Sequence, residues 1–286
     1  MSRARQEPDA FTRLGPPGAP TPLVIAVPHA GRCYPPALLA ASRLPRHALE
    51  TIEDRYADLL IADAVAMGAV AIVAPIARAW IDLNRAEEEL DPAILAEPAA
   101  TPVGAVSAKA AGGLGVIPSR IAAGGAVWRR PLAPAEIEER IARVHRPYHQ
   151  AIAAAMEEAR RAHGVAILID CHSMPSIARE GPHVVIGDRH GAAAAAYFSS
   201  AAAVVAARHN LHHARNRPYA GGYTLDRHGA PRQGRHAIQI EIDRRLYLDA
   251  TLLRPGKGLE TTRMLIADIA AALTAAAQGG LAEAAE

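Results

Sequence analysis

Residues 165–173 constrain the fold of this chain more than any other stretch. An uninterrupted apolar run of valine, alanine, isoleucine and leucine ends abruptly in Asp170, Cys171, His172 and Ser173. Such a run is typical of a strand that is buried on both faces of a sheet. In open α/β sheets, ligands bind beyond the carboxyl ends of these strands. We therefore expect the four polar residues to line the floor of a cleft.

A second apolar run, Leu23–Val27, also leads to a histidine, His29. Because both runs deliver a histidine at the carboxyl end of a predicted strand, the two imidazoles are expected to face one cleft. A metal-binding imidazole usually has its second nitrogen held by a carboxylate or a carbonyl, so the aspartate near His172 suits a metal site. The alternative is a loop histidine beside a capping aspartate, and the local pattern leaves both readings open.

Strand and helix patterns alternate along the rest of the chain. Further strands are predicted at residues 69–74, 78–85, 183–188 and 236–243, and helices at 45–67, 134–164, 192–210 and 260–276, with an irregularity near Pro147. This alternation predicts an α/β sandwich with a mixed, largely parallel central sheet. We expect one catalytic domain over residues 23–277, between a flexible N-terminal segment, 1–22, and a flexible tail, 278–286.

Composition excludes several classes of function. The 286 residues carry 31 basic and 29 acidic side chains and only 4% aromatics, so no nucleic-acid partner is expected. No apolar segment predicts a membrane span, and the polar N-terminus does not resemble a secretory signal. Two cysteines, Cys33 and Cys171, provide neither a disulfide framework nor zinc-finger spacing. A cytoplasmic location is predicted, whereas the oligomeric state stays open.

Polar residues near the end of the predicted strand 78–85 could recognise an anion. Arg78, Asn84 and Arg85 offer two guanidinium groups and an amide, which bind carboxylates through paired hydrogen bonds. A surface strand laced with ion pairs is the alternative. The long segment 86–133 that follows is rich in glycine and proline, as lids and binding loops often are.

Two further groups have a structural and a functional interpretation. Asp54 could cap a helix that starts at Arg55, or it could be an oxygen ligand of a metal. His145 and His149 stand four residues apart, which suits a metal, but the glutamate of a zincin helix is missing. We therefore predict that these two histidines are solvated or belong to the core.

The predicted strand 236–243 places Gln239 and Glu241 on one face. A glutamate and a glutamine together are unusual in a buried sheet and natural beside a site. Upstream, Asn216 begins a loop with Gly221 and Gly222, whose glycines can bring backbone close to a ligand or allow movement.

Short motifs in consistent order over most of the chain resemble the N-formylglutamate amidohydrolase family. They lie at residues 27–35, 54–58, 82–85, 169–175, 186–188, 216–223 and 237–241. The resemblance implies a three-layer αβα sandwich related to the zinc carboxypeptidases. It also implies hydrolysis of N-formyl-L-glutamate to formate and glutamate in histidine catabolism, so that the partner is a small anionic N-acyl amino acid.

Carried onto this sequence, the resemblance implies that His29, Asp54 and His172 hold Zn²⁺ or another divalent ion, with one position open for water. Glu53 is an alternative to Asp54, because the acidic ligand of carboxypeptidases follows the first histidine more closely. Glu241 resembles their general base. Ala30 stands where much of the family has serine, and segment 86–133 matches poorly.

The same resemblance implies the residues that bind substrate. Arg85 with Asn84 would hold carboxylates, and Arg78 would polarise the carbonyl or hold the second carboxylate. The loop with Asn216, Gly221 and Gly222 would also bind substrate. The acyl group and the native metal stay open.

Two rival functions remain. The first is an amidase with Cys171 as nucleophile, His172 or His29 as base and Asp170 as orienting residue. Adjacent strand residues point to opposite faces, which disfavours a pairing of Cys171 with His172. The second is a non-catalytic protein on the same fold that binds carboxylates through Arg85.

Overall fold

The computed structural model describes residues 9–96, 107–122, 124–178 and 180–283. Its strands are β1 (Thr12–Leu14), β2 (Leu23–Val27), β3 (Val70–Val73), β4 (Arg120–Ile121), β5 (Gly125–Ala126), β6 (Ala166–Met174), β7 (Val184–Gly187), β8 (His213–Arg215) and β9 (Arg235–Asp243). Seven of them form one sheet in the order β1-β3-β2-β6-β9-β7-β8, and β4 pairs with β5. Strands β3, β2, β6 and β9 run parallel, whereas β7 is antiparallel to β9. The predicted α/β class with a mixed, mostly parallel sheet is confirmed.

Helices connect these strands. They are α1 (Pro36–Ala41), α2 (Arg46–Leu49), α3 (Ala57–Leu60), α4 (Ala62–Ala66), α5 (Ala108–Ala111), α6 (Pro134–Arg140), α7 (Arg146–His163), α8 (Ala196–Arg208), α9 (Tyr223–His228) and α10 (Leu259–Glu283). The final helix α10 packs on α8 and α4. Its apolar side chains at helical spacing, Leu265, Ile266, Ile269 and Leu273, are buried, as their periodicity predicts.

Strand β6 extends further than its apolar run. It pairs in register with β9 from Ala166 opposite Arg235 to Met174 opposite Asp243, and all nine of its residues are buried. Asp170 and His172 are therefore strand residues, and the prediction that they follow the end of the strand is wrong. Strand β6 continues past its apolar residues because β9 is equally long and pairs with each residue of β6 through Met174.

Two other predicted elements are also wrong. Residues 78–85 form turns instead of a strand, since the Asp82 side chain accepts a hydrogen bond from the backbone N–H of Asn84, 2.9 Å away. The predicted helix at 45–67 is divided into α2, α3, α4 and a 3₁₀ turn. Tyr56 adopts a left-handed conformation with φ of 60° just before α3, so no helix starts at Arg55 for Asp54 to cap.

The predicted irregularity near Pro147 is confirmed. A π-helical turn, Ile141–His145, separates α6 from α7, and Pro147 lies in the first turn of α7. The N–H of Arg146 donates to the carbonyl of Ile141, five residues earlier. Within the described residues, the structure has no helix that is both long and apolar enough to span a membrane.

The chain divides into two compact units. The first comprises Met1–Thr12, His29–Glu53 and Ala74–His149, and the second comprises Arg13–Pro28, Asp54–Val73 and Gln150–Glu286. The prediction of one domain over residues 23–277, with flexible segments at 1–22 and 278–286, stays a prediction.

Burial of His228 should make the stability of the folded protein decrease in acid. This histidine ends α9 and is buried, and burial, followed by repulsion from Arg227 and Arg235, lowers its pKa from 6.5 to about 3. Between these two pH values the unfolded chain binds a proton that the folded protein excludes. The free energy of unfolding should therefore fall as the pH drops below 6.5, by up to about 1.4 kcal/mol per pH unit from this residue.

Urea unfolding at several pH values between 7 and 5 tests this expectation, because a His228→Gln variant should show a shallower pH dependence than the wild type. Exposed His47 provides the control variant, His47→Gln, which should keep the wild-type slope. Equal slopes for the wild type and His228→Gln would contradict the assignment.

Candidate active site

In the second unit, His172 is a buried histidine between two carboxylates. Its Nδ1 lies 2.9 Å from Oδ2 of Asp54, and its Nε2 lies 2.9 Å from Oδ2 of Asp170. Burial opposes a charge on the imidazole, but these two carboxylates raise the pKa of His172 well above its ordinary value. The arrangement leaves each ring nitrogen facing a negatively charged oxygen.

Glu241 lies beside His172 on the neighbouring strand. The two residues are directly opposite in the parallel register of β6 and β9, so their side chains share one face of the sheet. Gln239 donates a hydrogen bond from Nε2 to Oε1 of Glu241 at 2.8 Å, and its Oε1 accepts one from the N–H of Gly222 at 3.0 Å. The predicted shared face of Gln239 and Glu241 is confirmed.

Arg244, which follows β9 directly, was not among the residues predicted from the sequence. Its NH2 group donates to Oδ1 of Asp54 at 3.1 Å, and its Nε donates to Oγ of Ser173 at 3.1 Å. Asp54 thus has one oxygen near His172 and the other bound by a guanidinium. The position of Arg244 after a strand that carries Glu241 was the available signal, but its long-range pairing with Asp54 has no local signature.

In the first unit, Asp82 links a histidine to an arginine. Its Oδ1 lies 2.7 Å from Nε2 of His29, and its Oδ2 accepts a hydrogen bond from Nε of Arg78 at 2.9 Å. Burial alone would raise the pKa of Asp82, but Arg78, His29 and Arg85 lower it well below its usual range. Arg78 is therefore held by Asp82, and its predicted contact with a substrate carbonyl stays a prediction.

Arg85 is a buried cation that is bound mainly through backbone carbonyls. Its Nε donates to the carbonyl of Leu114 at 2.9 Å, and NH1 donates to that of Asn84 at 2.5 Å. Among the described residues it forms no direct ion pair. A buried guanidinium of this kind suits an incoming carboxylate.

Lys109, a second residue that was not predicted from the sequence, adds positive charge to this cluster. Burial and then repulsion from Arg85 lower the pKa of Lys109. Its backbone carbonyl accepts a hydrogen bond from the N–H of Leu114 at 2.8 Å, the residue whose own carbonyl binds Arg85. Arg78, Arg85 and Lys109 carry three positive charges against the two negative charges of Asp82 and Glu89, so the cluster is cationic.

Asn216 is engaged by its own loop. Its Oδ1 accepts from the N–H of Asp188 at 3.0 Å and from that of His190 at 3.3 Å, and its Nδ2 donates to Oδ1 of Asp188 at 2.8 Å. Gly221 has φ of +116°, and a Cβ there would lie 2.4 Å from a side-chain carbon of Leu225. These contacts explain how the loop is held, whereas substrate binding by Asn216, Gly221 and Gly222 stays a prediction.

His29 of the first unit and Asp54 and His172 of the second are all buried, and each offers a side-chain atom that a divalent ion can bind. They are the three ligands expected from the sequence. Glu53, the alternative ligand, is hydrogen bonded by the hydroxyl of Tyr34.

Cys171 is poorly placed to act as a nucleophile. Burial, with the carboxylates of Asp170, Asp54 and Glu241, raises the pKa of its thiol well above the ordinary range. The reactive thiolate is therefore disfavoured. Its neighbours on β6, including His172, point to the opposite face of the sheet.

Comparison with known proteins defines the class as a hydrolase that acts on amide bonds. Residues 21–248 match the model of the N-formylglutamate amidohydrolase family, and the chain belongs to that family. An N-formylglutamate deformylase of Pseudomonas aeruginosa is 30% identical over 268 residues, covering 89% of this chain and 93% of the relative. An N-formylglutamate deformylase from Pseudomonas putida is 26% identical over 238 residues. The match covers 80% of this chain and 83% of that relative.

Solved structures agree on the fold. The crystal structure of N-formylglutamate amidohydrolase from Ralstonia eutropha JMP134 has a TM-score of 0.87 and 30% identity, over 94% of this chain and 99% of that one. The crystal structure of the gene product Atu2144 from Agrobacterium tumefaciens has a TM-score of 0.63 at 19% identity. The match covers 90% of this chain and 91% of that chain. The second comparison supports the fold alone.

Proposed function

We propose that this protein hydrolyses N-formyl-L-glutamate, or a closely related N-acyl amino acid, to formate and L-glutamate. The family match and the two curated relatives support this substrate class. The observation that carries the proposal is the register of β6 and β9, which sets the carboxylate of Glu241 beside the imidazole of His172. The same activity supports the further proposals of a role in histidine catabolism and of a cytoplasmic location.

His29, Asp54 and His172 would hold a divalent metal ion, with Zn²⁺ favoured by their donor set of two imidazoles and one carboxylate. Nε2 of His29 faces Asp82 and Nε2 of His172 faces Asp170, and such carboxylates orient ligating imidazoles. Nδ1 of each ring would then be the ligand atom. When bound, the ion would lower the pKa of a water molecule toward about 7 and polarise the substrate carbonyl.

Topology gives independent support to His29 as a ligand. Ala26 of β2 pairs with Asp170 of β6, and the two strands are parallel. His29 follows Ala26 by three residues, so the chain leaves β2 at the same end at which β6 carries His172. Successive Cα atoms are about 3.8 Å apart, which limits how far His29 can depart from that end.

Glu241 would act as the general base. Its carboxylate would accept a proton from the attacking water and deliver that proton to the nitrogen of the leaving glutamate, so that the C–N bond breaks without releasing an anionic amine. Gln239 would fix the orientation of this carboxylate through their hydrogen bond.

Arg85 and Asn84 would bind a carboxylate of the substrate, and Arg78 would contribute charge while it holds Asp82. N-Formyl-L-glutamate carries two carboxylates, and a cluster with more cations than anions suits a dianion. A neutral amino-acid side chain in the substrate would leave part of this charge without a partner.

We expect Lys109 to contribute to the preference for a dianionic substrate. A Lys109→Met variant should lose about fivefold to tenfold in kcat/KM for N-formyl-L-glutamate, because a partly exposed charge pair contributes about 1 kcal/mol. The loss should be smaller for N-formyl-L-glutamine, whose side chain is neutral. Steady-state kinetics with both substrates measure the difference, and Lys257→Met, at an exposed lysine, serves as the matched control. Equal losses on both substrates would contradict this role.

Formate release tests the proposed function directly. Purified protein supplied with Zn²⁺ would also be assayed for release of the free amino acid from N-formyl, N-formimino, N-carbamoyl and N-acetyl derivatives of L-glutamate, and from N-formyl derivatives of other amino acids, because only N-formyl substrates yield formate. We expect the highest kcat/KM for N-formyl-L-glutamate. A metal-loaded, folded protein that releases no formate above the blank would overturn the proposal.

A further inference from the structure

His145, which ends the π-helical turn, and His149, in α7, contact the backbone of residues 83–85 in the first unit. Nε2 of His145 lies 2.8 Å from the carbonyl oxygen of Arg85, and Nε2 of His149 lies 2.9 Å from that of Leu83. Both side chains are fully buried, so the prediction that they belong to the core is confirmed and the solvated alternative is wrong. A carbonyl only accepts hydrogen bonds, so each imidazole must carry a proton on Nε2.

These bonds hold a stretch of chain that has no regular structure of its own. Residues 83–85 lie in a turn outside every strand and helix. The histidines bind the carbonyls of Leu83 and Arg85. The carbonyl of Asn84, which lies between them, accepts a hydrogen bond from NH1 of Arg85. All three consecutive carbonyls are therefore bound by side chains. Buried carbonyls outside a ladder need such partners, because an unpaired buried acceptor destabilises the fold.

The irregular helix determines which residues can provide these bonds. His149 follows His145 by four positions, so both rings lie on one side of the helix, with centroids 4.5 Å apart. His145 ends the π-helical turn and His149 lies in the first turns of α7, just beyond Pro147. π-Helical turns are rare and are often found at functional sites.

We infer that His145 and His149 are positioning residues that fix the backbone on either side of Asn84 and thereby aim the side chains of Asn84 and Arg85 at the substrate. The inference rests on the proposed function in assigning these two side chains to a substrate carboxylate. A segment that is held before substrate arrives loses less conformational freedom on binding, and this loss otherwise weakens affinity. The histidines should therefore affect substrate binding more than the chemical step.

Paired substitutions separate a positioning role from a purely structural one. His145→Leu and His149→Leu remove the donor, whereas His145→Gln and His149→Gln place an amide N–H near the position of Nε2. We expect each leucine variant to raise KM for N-formyl-L-glutamate about tenfold with kcat within about threefold of the wild type. The glutamine variants should restore most of the wild-type KM.

Met156→Ala, at a buried residue further along α7, provides a control for lost stability. It should lower Tm while leaving KM unchanged. Calorimetric titration with glutarate, a dicarboxylate that is not hydrolysed, gives the same comparison as a dissociation constant. Leucine variants that are folded, with lower Tm but wild-type KM and glutarate affinity, would overturn the inference. Should the wild type prove inactive, the proposed function fails, and the shift in glutarate affinity still decides the inference.

Discussion

A Glu241→Gln variant should lose about 10³-fold in kcat while its metal content and its KM stay close to those of the wild type. The amide is nearly isosteric with the carboxylate but cannot accept a proton from water at neutral pH. It can still interact with Gln239 after rotation of the amide, so the local packing of β9 should persist. The effect should therefore appear in the chemical step.

Steady-state formate release, with metal analysis of the same samples, measures this loss. Glu260→Gln alters an exposed glutamate at the start of α10 and should keep wild-type kinetics, which makes it the matched control. A Glu241→Gln protein that binds metal and substrate normally and hydrolyses at the wild-type rate would remove Glu241 from the mechanism. Activity in the wild type would then require a different proton acceptor.

The sequence predicted best those parts of the fold that depend on continuous apolar runs. The strand at Leu23–Val27 has the predicted bounds, and the strand predicted at 236–243 begins one residue earlier in β9 and ends as predicted. A run of β-branched and aliphatic residues can be buried on both faces only within a covered sheet, so the local pattern and the tertiary structure agree. His172 and Glu241 could be predicted as candidate site residues because they lie on such strands.

The turn at 78–85 shows why other parts of the site could not be predicted. Its alternating residues suit a strand, but the Asp82 side chain takes the backbone N–H of Asn84 and also pairs with Arg78 and His29. One of these partners lies 53 residues away, and periodicity contains no information about such a pair. Arg244 was missed for the same reason, since its contact with Asp54 spans 190 residues.

Removal of metal is the second change from which we expect a large effect. Dialysis against a chelator should reduce formate release to the background, and Zn²⁺ should restore it. Without an ion held by the proposed ligands His29, Asp54 and His172, the attacking water would not be activated. An Asp54→Asn variant should not recover at stoichiometric Zn²⁺. An amide carries no charge to balance the ion, and Arg244 would lose its carboxylate partner.

Two further variants test whether a loss of activity on chelation reflects a metal held by the proposed ligands. Cys171→Ser should retain activity and respond to the chelator like the wild type, because the buried thiol has no role in the proposed reaction. Asp170→Asn should bind Zn²⁺ about 10-fold to 100-fold more weakly, since it removes the carboxylate that faces Nε2 of His172. Full activity of the chelated wild type, combined with inactive Cys171→Ser, would instead favour the thiol mechanism. With His172 as the base, that mechanism would require His172 to reach the opposite face of β6, which its position beside Cys171 disfavours.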